Sequence, residues 1–198
     1  MVNEITILNY SNRNSTVYDN PTNKNFVYGQ ITSDFVNKIK LKKNDSIIAD
    51  IGCGTGFVFE FLNNKIKKRN CKFIGIDPAK GMINKAKKKY KFDKRFSFLK
   101  GSFDKISLEK DSVDKIISTL ALHWAPSINR SLKELQRVLK PTGSMDILMI
   151  DKNDGKNFKK IIFKTMKKYL TIKQIFNAAK LIQRISSNDI KIQFSKYF

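Results

Sequence analysis

The chain has 198 residues, which is enough for one domain with a full hydrophobic core. Its two cysteines and single histidine argue against a disulfide scaffold or a zinc site, so we expect no metal. No stretch approaches the roughly 20 apolar residues of a membrane span, and we expect no membrane partner. The first ten residues lack the pattern of a signal peptide, so a cytoplasmic location is predicted.

The chain carries 39 lysine and arginine residues against 17 aspartate and glutamate residues, a formal net charge of +22. Such a balance is typical of proteins that bind nucleic acid, an anionic membrane surface or an acidic protein. Lysine, asparagine and isoleucine are abundant throughout while arginine is scarce, so codon bias is an equally good explanation. The lysines are spread along the chain and do not form one block.

Residues 1–25 are polar and rich in asparagine, which predicts an arm or a partly ordered lid. A helix is predicted from Phe26, with one apolar face formed by Val27, Ile31, Phe35 and Ile39. The apolar run 47–49 then predicts a buried strand that Asp50 closes. Three glycines at alternate positions follow, and a helix is predicted from there to about Lys68.

Further strands are predicted at 72–77, 95–99, 113–118 and 144–150, with helices at 79–90 and 128–139. Strands alternating with helices at this spacing predict right-handed βαβ units. We therefore predict an α/β fold with a doubly wound, mostly parallel sheet and helices on both faces.

The remaining residues predict a basic amphipathic helix at 157–170 and a further helix after a capping box of Thr171 and Gln174. The alternation of Ile190, Ile192 and Phe194 predicts a sixth strand over 189–198. We predict one domain over 1–198: an arm and lid helix (1–40), a ligand-binding core (45–151) and a shortened C-terminal end (152–198). The basic helix is either a solvated face with its apolar side packed on the domain, a lid or a contact surface for an anionic partner.

The stretch 47–56, IIADIGCGTG, predicts a strand, a glycine loop and a helix, where α/β proteins bring backbone close to a nucleotide-like ligand. Asp77 follows the second strand, and an acid there can accept hydrogen bonds from ribose hydroxyls. The loop has the spacing GxGxG behind the acid Asp50, not GxGxxG. That acid favours a cationic or amino-acid-bearing ligand over a dinucleotide pyrophosphate.

Five segments resemble, in order, the motifs of class I S-adenosylmethionine-dependent methyltransferases, which have a Rossmann-like fold. They are DIGCGTG, GIDPAKGMINKAKKKY, FLKGSFDKIS, VDKIISTLALHW and LKELQRVLKPTGSM. The resemblance implies S-adenosylmethionine as cofactor, its methionyl end on the glycine loop, its ribose on Asp77 and its adenine near Met82. The cofactor-binding residues that it implies are Asp50, Gly52, Cys53, Gly54, Gly56, Asp77, Pro78, Met82, Gly101, Ser102, Phe103 and Leu120.

One position departs from that family, because Ser102 stands where an acid usually binds the adenine amino group. A serine hydroxyl can still accept a hydrogen bond, and Asp104 is near in sequence. The departure leaves open weaker cofactor binding or a degenerate site.

A narrower resemblance is to the malonyl-acyl carrier protein O-methyltransferases of biotin synthesis. It rests on ALHW at 121–124, on Tyr18, Asp19 and Gln30, and on the tail KIQFSKYF, and a mitochondrial complex I assembly factor shares the pattern. It implies an acidic acyl carrier protein as partner and methylation of its malonyl carboxylate. The activated methyl group and the ionised carboxylate need alignment and exclusion of water more than a base.

The residues predicted to act on the acceptor are His123 and Tyr18. His123 either positions substrate or acts as a base, and a structural histidine beside Trp124 is the alternative. Two other functions are kept open. The charge favours an RNA methyltransferase, although the sequence lacks an appended RNA-binding module, and Ser102 favours a non-catalytic accessory protein that keeps the fold.

Overall fold

The computed structural model describes residues 4–22, 28–67, 70–154, 163–179 and 185–198, and every structural statement below refers to these ranges. The helices are α1 (Glu4–Asn14), α2 (Tyr28–Lys38), α3 (Phe57–Ile66), α4 (Lys80–Lys89), α5 (Ile128–Val138), α6 (Ile172–Ala179) and α7 (Ser187–Phe194). The strands are β1 (Ile47–Ile51), β2 (Lys72–Asp77), β3 (Phe96–Lys100), β4 (Val113–Thr119) and β5 (Leu139–Leu148).

The five strands form one sheet in the order β3-β2-β1-β4-β5, and all neighbouring pairs are parallel. The order reverses at β1, which lies between β2 and β4. A crevice outside the carboxyl ends of the strands is the usual ligand site at such a switch point. The predicted doubly wound parallel sheet is confirmed.

Two hydrophobic layers cover the two faces of the sheet. One contains buried side chains of α2, α3 and α4, among them Val36, Leu62 and Ile83. The other contains Leu132 and Leu135 of α5, with the C-terminal α7 packed against it. Burial on both faces explains why the central strands are continuous apolar runs instead of alternating ones.

The arm at the N-terminus is docked on α4 by polar contacts. The Gly81 N–H donates to Asn12 Oδ1 at 2.8 Å, and Lys85 Nζ donates to the carbonyl oxygens of Ser15 and Thr16 at 2.8 and 3.0 Å. The sequence predicted an arm or lid here, and the structure adds helix α1 and fixed contacts for residues 12–19.

The predicted sixth strand is wrong, because residues 187–194 form α7. The Ser186 hydroxyl accepts a hydrogen bond from the Asp189 N–H at 3.1 Å, which caps the helix. Phe194 follows Ile190 by one helical turn, and both pack against the core, while Ile192 is 58% exposed. Ile190 and Phe194 are thus four residues apart, as on one face of a helix, and their packing on the core favours the helix over a strand.

The apolar face predicted for α2 is wrong at one position. Ile31 is 49% exposed, whereas the neighbouring Thr32 and Val36 are buried. Of the other residues assigned to this face, Ile39 is buried and Val27 lies outside the described residues, as does Phe26.

The chain beyond β5 confirms one prediction and leaves another outside the described residues. The Thr171 N–H donates to Gln174 Oε1 at 2.8 Å and the Gln174 N–H donates to the Thr171 hydroxyl at 3.3 Å, which is the predicted capping box. The first half of the predicted basic helix at 157–170 falls among residues that are not described.

Candidate functional site

The glycine loop after β1 lies against the end of β2. The Gly52 and Cys53 N–H groups donate to the Ile76 carbonyl oxygen at 2.8 and 3.0 Å. Gly52 has φ +79°, and a Cβ there would lie 2.3 Å from Ala121 Cβ. The loop after β4 therefore packs on the glycine loop, and only glycine fits at this contact.

Asp50 stands at the centre of the site with no hydrogen-bond partner among the described residues. Its side chain is fully buried, and neither carboxylate oxygen is paired there. Burial, and then the charge of Asp77, raises the pKa of Asp50 well above its ordinary value. An unpaired buried carboxylate is costly, so this one is suited to accept a ligand's cationic group.

Asp77, at the end of β2, is held by backbone amides. Its two oxygens accept hydrogen bonds from the Gly54 and Ala79 N–H groups at 2.9 and 2.8 Å. Burial raises the pKa of Asp77, and these two hydrogen bonds oppose the rise. Each oxygen keeps a further lone pair, so Asp77 is fixed in position and can still accept from ribose hydroxyls.

Cys53 lies under the loop. Its thiol is buried, and burial, followed by the charges of Asp50 and Asp77, raises its pKa. A thiol in this electronegative, apolar place stays protonated and unreactive. We therefore assign to the Cys53 side chain a packing role.

The segments that the resemblance assigns to the adenine lie at the ends of β2 and β3. Met82 on α4 and Phe103 are buried, and the Phe103 ring would contact a Cβ at Gly52. Pro78 and Gly101 are half-buried. The Ser102 hydroxyl donates to Asp104 Oδ1 at 2.9 Å, so a carboxylate lies beside the serine that replaces the family's acid.

The end of β4 brings Leu120 and His123 to the same edge of the sheet. Leu120 has φ +53°, a strained value for this residue, and strained backbone is concentrated at functional sites. The 3-10 helix Leu122–Trp124 follows, in which His123 is buried at 1% exposure with its ring centroid 5.4 Å from that of Trp124. This burial favours the packing interpretation of His123, and its action on an acceptor remains a prediction.

Sequence reasoning missed the contact between the arm and the glycine loop. The Thr55 hydroxyl donates to Asp19 Oδ1 at 2.5 Å, and Asp19 pairs with Lys89 at 2.9 Å. Tyr18 reaches Gly54, since a Cβ there would lie 3.9 Å from the tyrosine ring. The pair Tyr18–Asp19 was noted in the sequence, but neither Thr55 nor Lys89 gave a signal, because their pairing depends on where the arm folds back.

No group of three histidine, cysteine, aspartate or glutamate side chains in the described ranges is arranged to hold a metal ion. In the same ranges, no helix is both long and apolar enough to cross a membrane.

The fold and this site define a class of protein that binds a nucleoside bearing a cationic group at the switch point of a parallel sheet. The family described as methyltransferase domain matches residues 49–147, half of the chain. The chain belongs to this family, and S-adenosylmethionine is its cofactor. The residues present fit it, because the Asp50 carboxylate, unpaired among the described residues, would hold the ammonium group of the methionyl end and Asp77 would hold the ribose.

Two similar proteins have known activities. A malonyl-[acyl-carrier protein] O-methyltransferase of Priestia megaterium is 34% identical over 116 residues, which are 59% of this chain and 39% of that protein. A ubiquinone/menaquinone biosynthesis C-methyltransferase of Campylobacter jejuni is 32% identical over 119 residues, 59% of this chain and 49% of that protein. The matched region is thus less than half of either relative.

Phosphoethanolamine N-methyltransferase 2 of Haemonchus contortus, solved in complex with S-adenosyl-L-methionine, has a similar fold. The TM-score is 0.72 at 16% identity, over 95% of this chain and 41% of that one. At this identity the likeness concerns the fold alone.

Proposed function

We propose that this chain is an S-adenosylmethionine-dependent methyltransferase. The observation that carries the proposal is the fully buried Asp50 carboxylate, unpaired among the described residues beside the glycine loop. Bound here, the cofactor would supply a methyl group activated by its sulfonium charge. The chain would bind the ammonium group at Asp50, hold the ribose at Asp77 and exclude water with the arm at Tyr18.

Titration calorimetry with S-adenosylmethionine tests this proposal. We expect binding by the natural chain and no binding of the same ligand at millimolar concentration by a G52A variant, in which the loop cannot close on Ala121. Absence of binding by the natural chain at that concentration would reject the proposal.

For the acceptor, we propose the free carboxylate of a malonyl group on an acidic acyl carrier protein, as in biotin precursor synthesis. Support comes from the ALHW element, from Tyr18 and Asp19 at the glycine loop, and from the similarity to the Priestia megaterium enzyme. Since a carboxylate is already ionised at neutral pH, methyl transfer needs alignment rather than a base. The buried position of His123 is compatible with such a reaction.

Mass spectrometry of malonyl-carrier protein after incubation with enzyme and cofactor tests this choice. We expect the mass of the carrier to rise by one methylene unit, and an H123A variant to retain activity if His123 only packs. A chain that binds the cofactor but leaves the carrier mass unchanged would reject the malonyl acceptor and keep the methyltransferase.

A lipophilic acceptor is the second candidate, in line with the Campylobacter jejuni relative that acts in ubiquinone and menaquinone biosynthesis. The observation that favours it is a set of exposed apolar side chains after β5, which includes Tyr169 and Ile172. Methylation of a quinone precursor supplied in detergent, with no methylation of malonyl-carrier protein, would select this acceptor.

A further inference from the structure

The chain makes a long excursion after β5 that begins and ends at one place. The Lys152 N–H donates to the Ile185 carbonyl oxygen at 2.9 Å, and the Ser187 N–H donates to Asp151 Oδ2 at 2.5 Å. The excursion therefore leaves and returns at the carboxyl end of β5, which is the edge of the sheet that also carries the glycine loop.

The excursion is basic throughout, because the sequence from 155 to 188 contains lysines and an arginine but no aspartate or glutamate. Within its described part 163–179, we call residues 163–175 the basic-apolar segment. The exposed lysines of this segment are Lys164, Lys167, Lys168 and Lys173.

Large apolar side chains are exposed among these lysines. Tyr169 is 80% exposed, Ile172 is 52% exposed and Leu170 is 38% exposed, whereas Ile175 is buried. The expectation that the apolar side of a basic helix here packs on the domain is not met by residues 163–170. Exposed apolar groups gathered in one place mark interaction sites.

Codon bias does not account for this arrangement. It would enrich lysine everywhere, yet it would neither remove acidic residues from one stretch nor expose its apolar side chains. Helix α4 shows the contrast, because it is also rich in lysine but buries its apolar residues Met82, Ile83 and Ala86.

The combination matches an interface between anionic lipid and water. There, aromatic and aliphatic side chains enter the acyl boundary while lysines meet phosphate groups. Protein interfaces, by contrast, are depleted of lysine. We propose that the basic-apolar segment docks this protein on an anionic lipid surface, with the cofactor edge of the sheet turned toward that surface.

Co-sedimentation with vesicles tests the docking, using phosphatidylglycerol–phosphatidylcholine vesicles and pure phosphatidylcholine vesicles at about 0.15 M salt. We expect binding to the anionic vesicles alone. The variant K167E/K168E should weaken it about tenfold or more, because it removes two lysines that meet the anionic headgroups. The variant Y169S/I172S should weaken it by a similar factor, because it removes apolar side chains that enter the acyl boundary.

The chain offers matched controls on the opposite edge of the sheet. Phe92 is 88% exposed with Lys91 Nζ 4.5 Å from its ring centroid, and Lys87 and Lys88 are exposed on α4. The variants F92S and K87E/K88E remove the same kinds of side chain from another place. We expect each to change vesicle binding less than twofold, and all four variants to keep the thermal unfolding midpoint and cofactor affinity of the natural chain.

Three results would overturn the proposal. One is no binding to anionic vesicles, and another is equal weakening by the controls, which would assign binding to net charge alone. The third is tight binding of the segment to an acidic carrier protein that vesicles do not compete for, which would assign it a protein partner. None of these results depends on cofactor use, so the proposed methyltransferase activity is tested separately.

Discussion

Asp50 shows at the scale of one residue how the site is built at a cost to the fold. Its carboxylate is fully buried and lacks a partner among the described residues. Burial raises the pKa of this carboxyl in the folded chain, so the free energy of unfolding falls as the pH rises above the ordinary aspartate pKa of 3.8. The same unpaired charge is what a cationic ligand would neutralise.

A D50N variant separates stability from binding. We expect its free energy of unfolding, measured in urea, to exceed that of the natural chain by about 1–2 kcal/mol at pH 8, because no charge is then buried. The gain should shrink toward pH 4, where the natural carboxyl is protonated. Affinity for S-adenosylmethionine should fall tenfold or more, and a variant that binds as well as the natural chain would contradict the role of Asp50.

Two glycines of the loop should respond differently to the same substitution. G52A places a methyl group against Ala121, so we expect a loss of about 2–4 kcal/mol in unfolding free energy. G54A makes only an ordinary van der Waals contact with the Tyr18 ring, 3.9 Å away, so its main cost is φ +53° and we expect a loss of about 1–2 kcal/mol. Denaturant unfolding of both variants measures the difference, and equal losses would contradict the close contact at Gly52.

At the scale of elements, polar side chains join segments that are distant in sequence. Asp114 at the start of β4 accepts hydrogen bonds from the N–H groups of Ser46, just before β1, and of Ile47 in β1, at 3.1 and 2.9 Å. It also accepts one from Lys140 Nζ of β5 at 2.7 Å. Burial opposes ionisation of Asp114, but these hydrogen bonds prevail and set its pKa at about 2. This carboxylate links the start of β4 to both of its neighbouring strands, β1 and β5.

The low pKa of Asp114 predicts a pH-dependent contribution to stability. The contribution is complete above the unfolded value of 3.8 and is lost as the pH falls toward about 2. We expect D114N to cost about 2 kcal/mol at pH 7 and much less near pH 2. Urea unfolding of both proteins at the two pH values checks this, and a cost independent of pH would mean that packing, not charge, is lost.

The arm is fastened to the core by pairs that a double substitution can remove. Asp19 binds Thr55 and Lys89, and Lys85 binds two carbonyl oxygens of the arm. We expect D19N/K85M to speed proteolysis within residues 10–20 about tenfold, because it removes the ion pair with Lys89 and the two hydrogen bonds of Lys85, together worth about 1.4 kcal/mol.

The matched control for the arm is K88M on the exposed side of α4, which should not change cleavage. The global free energy of unfolding measured in urea should fall by no more than about 1.4 kcal/mol in D19N/K85M, since only the arm contacts are lost and the sheet is untouched. Cleavage at the natural rate would show that α1 holds the arm without these pairs.

At the scale of the whole molecule, the net charge of +22 makes self-repulsion a general cost. Salt screens interactions between exposed charges beyond about 10 Å at 0.1 M. We expect the thermal unfolding midpoint to rise by about 2–4 °C, equivalent to about 1 kcal/mol, between low salt and about 0.5 M sodium chloride. A midpoint that falls with salt would show that ion pairs outweigh repulsion.

The sequence by itself determined the α/β fold, the order of the strands along the chain and the glycine loop between Asp50 and the following helix. These features are local, since apolar runs, glycine spacing and caps such as Thr171 act over a few residues. What only the tertiary structure decided depends on partners distant in sequence. Residues 187–194 became a helix because Ile190 and Phe194 pack on the core. The Gly54 amide bonds Asp77, while Asp50 is buried with no partner among the described residues. Thr55 bonds Asp19 because the arm folds back on α4.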